Sequence, residues 1–256
     1  MLQEAKDLQK NAVSRLVQVL NSGKKEITFK APTGSGKTYM MADFMNRVLA
    51  IKQNAVFIVS TLSKSNLAQQ NYESFQKLAE NGTFANINPF LINSDSSGEG
   101  SLYIPTDYNV YVLPRDLYKD SSKLKKEGTF LNFLKSLVGD TFMKQADKTV
   151  YLIKDECHIA TRNLDELKEY FEQIINFSAT PKLSRKQEPD VEISNTDAEN
   201  VKLIDQKHPD QVKEYTRNEA ISVFKEIVHE EPLDCDNCTI TVENGEIVEI
   251  NRLYVP

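Results

Sequence analysis

Hydrophobic positions along this chain alternate between helical and strand-like spacing. Over residues 1–20, Leu8, Ala12, Val13, Leu16, Val17 and Leu20 recur near one helical face and predict an amphipathic helix, stopped by Asn21-Ser22-Gly23. Glu26-Ile27-Thr28-Phe29-Lys30 then alternates apolar with polar residues, as a short strand does. A helix is predicted from Tyr39 onward, opening at Lys37-Thr38. Ala55–Ser60 is a continuous apolar run, the pattern of a strand covered on both faces in a parallel sheet. Thr149–Ile153 and Ile174–Phe177 are runs of the same kind, and Phe90–Ile92 and Asn109–Leu113 are further strand candidates. Helices are predicted over Ser63–Glu80, over much of residues 115–148 and around Leu164–Phe171. Strands alternating with helices predict an α/β fold with a mostly parallel, doubly wound sheet. Past residue 190 the pattern changes to a helix over Ala220–His229 and a hairpin of Thr239–Val242 with Ile247–Ile250, turning type I′ at Asn244-Gly245. The expected division is residues 1–190 and a small α+β appendage, residues 191–256, to which no chemistry is assigned.

Composition adds limits rather than direction. The 256 residues are 40% hydrophobic and 27% charged, the balance of a globular protein able to bury one large core. No apolar run reaches membrane-spanning length, and the first residues lack the basic start and apolar segment of a signal peptide. Three cysteines make a disulfide framework unexpected and a cytoplasmic location expected. Cys235 and Cys238 have the spacing of half a zinc site, but ligands for the other half are wanting, so they are read as loop thiols. The net charge of −6 does not call for a nucleic-acid partner, nor does it exclude a local basic patch. The run Lys119, Lys123, Lys125 and Lys126 is read as a solvated helix face.

The chemistry concentrates at Ala31-Pro32-Thr33-Gly34-Ser35-Gly36-Lys37-Thr38, set between a strand and a helix. Glycines let a backbone curl until successive N–H groups converge on an anion, and the helix start adds its donors and positive dipole end. Thr33, Gly34, Ser35 and Gly36 supply the cradle, Lys37 reaches the β- and γ-phosphates, and the Thr38 hydroxyl ligates Mg²⁺. Such a loop needs a carboxylate for the metal and a group to orient the attacking water. The strand Thr149–Ile153 delivers Lys154-Asp155-Glu156-Cys157-His158 at its carboxyl end, where sites in open parallel sheets lie. Asp155 is assigned to the metal, Glu156 to the water, and His158 to relaying the state of the γ-phosphate. The two strands are expected to be neighbours, ending on the same rim.

In order and spacing, Gln9, the loop Ala31–Thr38, Asp155-Glu156-Cys157-His158 and Ser178-Ala179-Thr180 resemble the first RecA-like domain of superfamily 2 helicases and translocases. Within these the likeness is greatest to restriction-enzyme motor subunits, especially those of type III systems, and it covers about residues 5–185. The resemblance implies a RecA-like P-loop NTPase with ATP and Mg²⁺ as cofactors. It implies Gln9 as a reader of adenine, Lys37, Asp155 and Glu156 as catalytic residues, and His158, Ser178 and Thr180 as links between nucleotide state and domain movement. Thr61 and Gln70, with Leu67, resemble the segment that lies along a nucleic-acid strand; the implied partner is double-stranded DNA, RNA not being excluded. Lys154 stands where an apolar residue is usual, its ammonium expected at the rim, and Pro114 replaces a threonine that often touches the nucleic-acid backbone. Nothing after residue 185 resembles a second motor domain, so ATP hydrolysis by this chain is expected to be weak without one from a parent chain or partner subunit. A small-molecule kinase or a non-catalytic module on the same fold are the rivals; a kinase lid with arginines is missing, and the intact Lys37, Thr38, Asp155 and Glu156 speak against a non-catalytic role.

Overall fold

The computed structural model describes residues 3–61, 66–93, 104–118, 120–139, 148–155, 162–181, 183, 187–204, 238–243 and 246–252. The chain forms two compact units, Met1–Ile204 and Asp205–Pro256. In the first unit, seven strands form one all-parallel sheet: β1 (Glu26–Lys30), β2 (Ala55–Thr61), β3 (Pro89–Leu91), β4 (Val110–Pro114), β5 (Thr149–Asp155), β6 (Gln173–Ser178) and β7 (Val191–Glu192). Their spatial order is β3-β4-β2-β5-β6-β1-β7. The fold is thus α/β, parallel throughout where a mostly parallel sheet was expected.

Helices cover both faces. On one lie α1 (Gln3–Asn21), α2 (Lys37–Ile51) and α3 (Leu67–Glu80). The inward side of α1 is Ala5, Gln9, Ala12, Val13, Leu16 and Leu20, so the predicted stripe holds except that Leu8 and Val17 sit at its partly buried margin. These helices pack on Ile27, Phe29, Phe57, Val59, Tyr151, Ile153, Ile175 and Phe177 of the sheet. Each such side chain taken from water contributes about 1.5–3 kcal/mol. Phe57 stacks on Tyr151 at 5.2 Å and Phe29 meets Phe177 at 4.7 Å, tying β2 to β5 and β1 to β6.

The opposite face carries α4 (Lys123–Lys126), α5 (Thr129–Val138) and α6 (Arg162–Asp165). There Phe130, Phe133, Leu134 and Leu137 cover Val56, Ile58, Tyr111, Leu113, Val150 and Leu152. This apolar cover extends to Ile174 near the start of β6. Beyond it Lys154, Asn176, Thr28 and Glu26 line an open cavity of about 640 Å³ together with Lys24, Asp165, Lys168 and Asp190. The helix expected around Leu164–Phe171 is only the single turn of α6 and a 3₁₀ turn, Lys168–Tyr170, whose Leu164, Leu167 and Phe171 still face the core.

Residues 191–204 belong to this first unit rather than to the tail with which the sequence pattern grouped them. Val191 and Glu192 pair in parallel with Phe29 and Lys30, and α7 (Asn195–Asn200) follows. Ser194 caps α7, its Oγ accepting from the Asp197 N–H at 3.0 Å, and Val191, Ile193 and Ala198 are buried. The strand escaped notice because two residues are too few for any alternation to show. In the second unit, β8 (Cys238–Glu243) and β9 (Glu246–Arg252) form an antiparallel hairpin over the residues expected to do so. The expected turn at Asn244-Gly245 and helix over 220–229 lie outside the described residues. No helix among the described residues is long and apolar enough to cross a membrane.

Candidate functional site

After Lys30 the chain curls through Ala31–Gly36 into α2. Gly34 and Gly36 both adopt φ of +79°, the left-handed region where a side chain costs about 1–2 kcal/mol. At Gly36 a Cβ would also stand 2.7 Å from Gln9 Nε2, so that the buried amide would have to shift. Ser35 is fully buried; its Oγ donates to the Pro32 carbonyl at 2.7 Å. The Ser35 carbonyl accepts from Gln9 Nε2 at 2.9 Å, so α1 buttresses the loop through that amide. Gln9 is 2% exposed, and its Oε1 has no hydrogen-bond partner among the described residues. Thr33 and Gly34 form the exposed outer part of the loop. Lys37 opens α2, and its Nζ donates to the carbonyls of Ala31 at 3.4 Å and Pro32 at 3.3 Å. No side chain caps α2.

The acidic end of β5 lies on the same rim. Strand β5 runs through Lys154 to Asp155, two residues past the predicted run. Asp155 is 7% exposed, and its Oδ2 accepts from Asn71 Nδ2 at 3.0 Å and from Thr61 Oγ1 at 3.2 Å. Asn71 Oδ1 in turn accepts from Thr38 Oγ1 at 3.1 Å. One asparagine amide therefore joins the phosphate-loop hydroxyl to the strand-end carboxylate. The Arg115 guanidinium, in the 3₁₀ turn Arg115–Tyr118 after β4, donates to the Asp155 backbone carbonyl. Sequence reasoning passed over Asn71 and Arg115. Neither lies in a pattern with a chemical signature, and only the packing of α3 and β4 beside β5 reveals them.

One expectation is corrected: β1 and β5 are not neighbours, since β6 separates them. The intervening strand is part of the site. Ser178 ends β6, fully buried, and its carbonyl accepts from the Ala31 N–H at 3.2 Å where the loop begins. The Ser178 Oγ accepts from the Thr180 N–H at 3.1 Å, and Thr180 is exposed. Thr61, assigned to nucleic acid, is 1% exposed and turned inward onto Asp155; Gln70 is exposed on α3.

Lys154 also departs from expectation. Successive strand residues point to opposite faces, so Lys154 faces away from Asp155's partners and into the polar cavity. There its Nζ pairs with Asp165 Oδ1 at 2.6 Å instead of reaching the rim. Of the basic run, Lys125 pairs with Asp120 at 2.7 Å and Glu166 at 2.9 Å, and hydrogen bonds to these carboxylates raise its pKa. Lys126 is exposed, and the side chains of Lys119 and Lys123 lie outside the described residues. Glu156, Cys157, His158 and Cys235 lie outside them too. Among the described residues no cluster of three or more His, Cys, Asp or Glu could hold a metal.

An all-parallel sheet whose first strand passes through a left-handed glycine loop into a helix, with a carboxylate on the same rim, defines a RecA-like P-loop domain. The family model described as "Type III restriction enzyme, res subunit" matches residues 3–183, and the chain belongs to that family, a superfamily 2 helicase RecA-like domain. No curated protein matches by sequence. Similar solved structures include the DUF1998 helicase MrfA bound to DNA and AMPPNP, 16% identical with a TM-score of 0.46, covering 70% of this chain and 24% of that one. Others are the UvsW helicase from bacteriophage T4 (15% identical, TM-score 0.42, covering 68% and 51%) and a Dbp5 variant from S. cerevisiae bound to Nup159, Gle1, IP6 and ADP (16%, 0.44, 78% and 50%). The chain spans between a quarter and about half of the length of these proteins.

Proposed function

We propose that this chain is the ATP-binding half of a superfamily 2 motor that moves on double-stranded DNA, of the restriction-subunit kind. The observation that carries the reading is the Thr38–Asn71–Asp155 link, which makes the phosphate loop and the acidic strand end one site although a strand lies between them. In this reading Thr33, Gly34, Ser35 and Gly36 wrap the phosphates, with the uncapped start of α2 adding its dipole. Lys37 exchanges its loop carbonyls for the β- and γ-phosphates. Gln9 offers its buried Oε1 to the adenine amino group while Nε2 stays on Ser35.

The residues present fit Mg²⁺, which takes oxygen ligands and retains water. The Thr38 hydroxyl and the Asp155 carboxylate, already held on one amide, are the groups that would hold it. The ion would neutralise charge on the β- and γ-phosphates. Glu156 orients the attacking water, and His158, Ser178 and Thr180 pass the state of the site to a second motor domain. The Ala31–Ser178 backbone bond supports that last role, because it ties the start of the loop to the end of β6. Arginine fingers are worth about 10³–10⁵ in rate among P-loop enzymes, so the chain alone turns over slowly.

Titrating ATP into the wild type and Lys37→Ala is the test. Loss of the ammonium should weaken binding at least about tenfold, or 1.4 kcal/mol, with little change in melting temperature; equal affinities would overturn the reading. Turnover is then measured with duplex DNA and with RNA added. Rapid stimulation of this chain by either would refute the need for a second domain, and stimulation by RNA alone would reassign the track.

A further inference from the structure

The geometry points to Asn71 as the positioning residue for the metal-facing side of the nucleotide site, an inference that rests on the reading of the phosphate loop above. Asn71 lies early in α3 and is 4% exposed, on an inward side otherwise made of Ala68 and Phe75. Burying a side-chain amide costs free energy unless both of its ends are paired. Here both are, to partners 33 and 84 residues away in the sequence, Thr38 and Asp155.

The chemistry of the bridge has a direction. A hydroxyl has one proton to give, a carboxylate has none, and a primary amide both accepts and donates. Thr38 spends its proton on Asn71 Oδ1, which leaves the lone pairs of Oγ1 as acceptors. Asn71 Nδ2 and Thr61 Oγ1 together occupy Asp155 Oδ2, while Oδ1 has no hydrogen-bond partner among the described residues. One acceptor oxygen on each side is thereby presented in a fixed orientation. An aspartate at position 71 would repel Asp155 when ionised, and an apolar residue would leave buried polar atoms unpaired on both sides. Groups that orient ligand oxygens without touching the ion typically contribute about 10–100-fold in metal affinity.

The experiment measures affinity of the 256-residue chain for ADP and AMPPNP by calorimetry, with Mg²⁺ and with EDTA. Wild type is compared with Asn71→Ala and Asn71→Leu, and melting temperatures are recorded without nucleotide. The expected result is a wild type that binds more tightly with Mg²⁺. Both variants keep its EDTA affinity within about twofold and lose about tenfold of the Mg²⁺-dependent gain. If Asn71→Leu, which preserves volume, recovers the gain lost by Asn71→Ala, Asn71 acts only by packing and the inference is overturned. It is equally overturned if both variants keep the full gain. Asn71→Ser, polar but too short to bridge, replaces either variant that does not fold and carries the same expectation. A wild type that binds no nucleotide under either condition would instead remove the reading of the site itself, a distinguishable failure.

Discussion

The phosphate loop and the carboxyl end of β5 face the same rim but are assembled in opposite ways. The loop is nearly self-contained: Ser35 bonds to Pro32, Met40 N–H to the Gly36 carbonyl, and Lys37 to Ala31 and Pro32. Distant side chains still reach it at its two flanks, Gln9 on the Ser35 carbonyl and Asn71 on the Thr38 hydroxyl. Asp155, by contrast, is held by side chains from β2, α3 and the turn after β4, at sequence separations of 94, 84 and 40 residues. A self-contained structure must satisfy its backbone with particular residue types, so it is rigid by composition. A structure gathered from afar needs only complementary groups and is rigid by the packing of the elements that bring them. The first should fail locally and sharply when a residue type is changed; the second should yield by degrees, because several donors share one acceptor.

The sharpest break is Gly36→Ala. It places a side chain at φ +79° and a methyl group 2.7 Å from Gln9 Nε2. The conformational penalty of about 1–2 kcal/mol adds to displacement of a buried amide from the Ser35 carbonyl, and a total near ~2–3 kcal/mol is expected. Chemical denaturation checks the stability, and nucleotide titration should show binding lost along with it. A variant as stable as the wild type would mean that the loop adapts, and the contrast between the two halves would be lost.

The same contrast explains what could be read in advance. Glu26–Lys30 is observed as predicted, and the loop residues are where their types demand, because strand alternation and left-handed glycines are local requirements. The apolar run Ile174–Phe177 foretold a buried strand, yet nothing in it says that the strand lies between β1 and β5; crossovers decide that order, not the strand. Asn71 was illegible for a related reason. An asparagine in a helix has no pattern until the carboxylate that needs it is packed alongside. Lys154 misled because its tolerance depends on a cavity at β6 and β1 that α5 fails to cover, and on Asp165 reaching into it.

Lys154 gives the next prediction, since it shares β5 with Asp155 but faces the opposite side. Its side chain is 7% exposed, against 40% for Asp165. Asp165→Ala strands a nearly buried ammonium and should cost about 1–3 kcal/mol in urea unfolding. Lys154→Met removes the charge and leaves the half-exposed Asp165 to water and to Lys168 at 3.8 Å, and replacing a buried ion by an apolar side chain is often close to neutral. Nucleotide affinity should be unchanged in both, because neither side chain meets the loop. A loss of affinity in Asp165→Ala would show that the two sides of β5 are coupled, and the gathered half of the site would extend through the sheet.

The mildest change tests whether Asp155 is shared as the geometry implies. Thr61→Val keeps the volume of the side chain and removes the donor 3.2 Å from Asp155 Oδ2. Asn71 still donates to the same oxygen at 3.0 Å, so the carboxylate retains a partner and its orientation. Losing one of two hydrogen bonds to a charged acceptor should cost about 1 kcal/mol, read as a small fall in melting temperature. The Mg²⁺-dependent gain in nucleotide affinity should drop only a few-fold, visibly less than the loss expected for Asn71→Ala, because Thr61 holds one end of the bridge and Asn71 holds both. Should Thr61→Val prove as damaging as Asn71→Ala, the carboxylate would depend on each donor separately and not on the bridge to Thr38. The acidic half would then fail as sharply as the loop does, and the difference in how the two halves are built would have no energetic meaning.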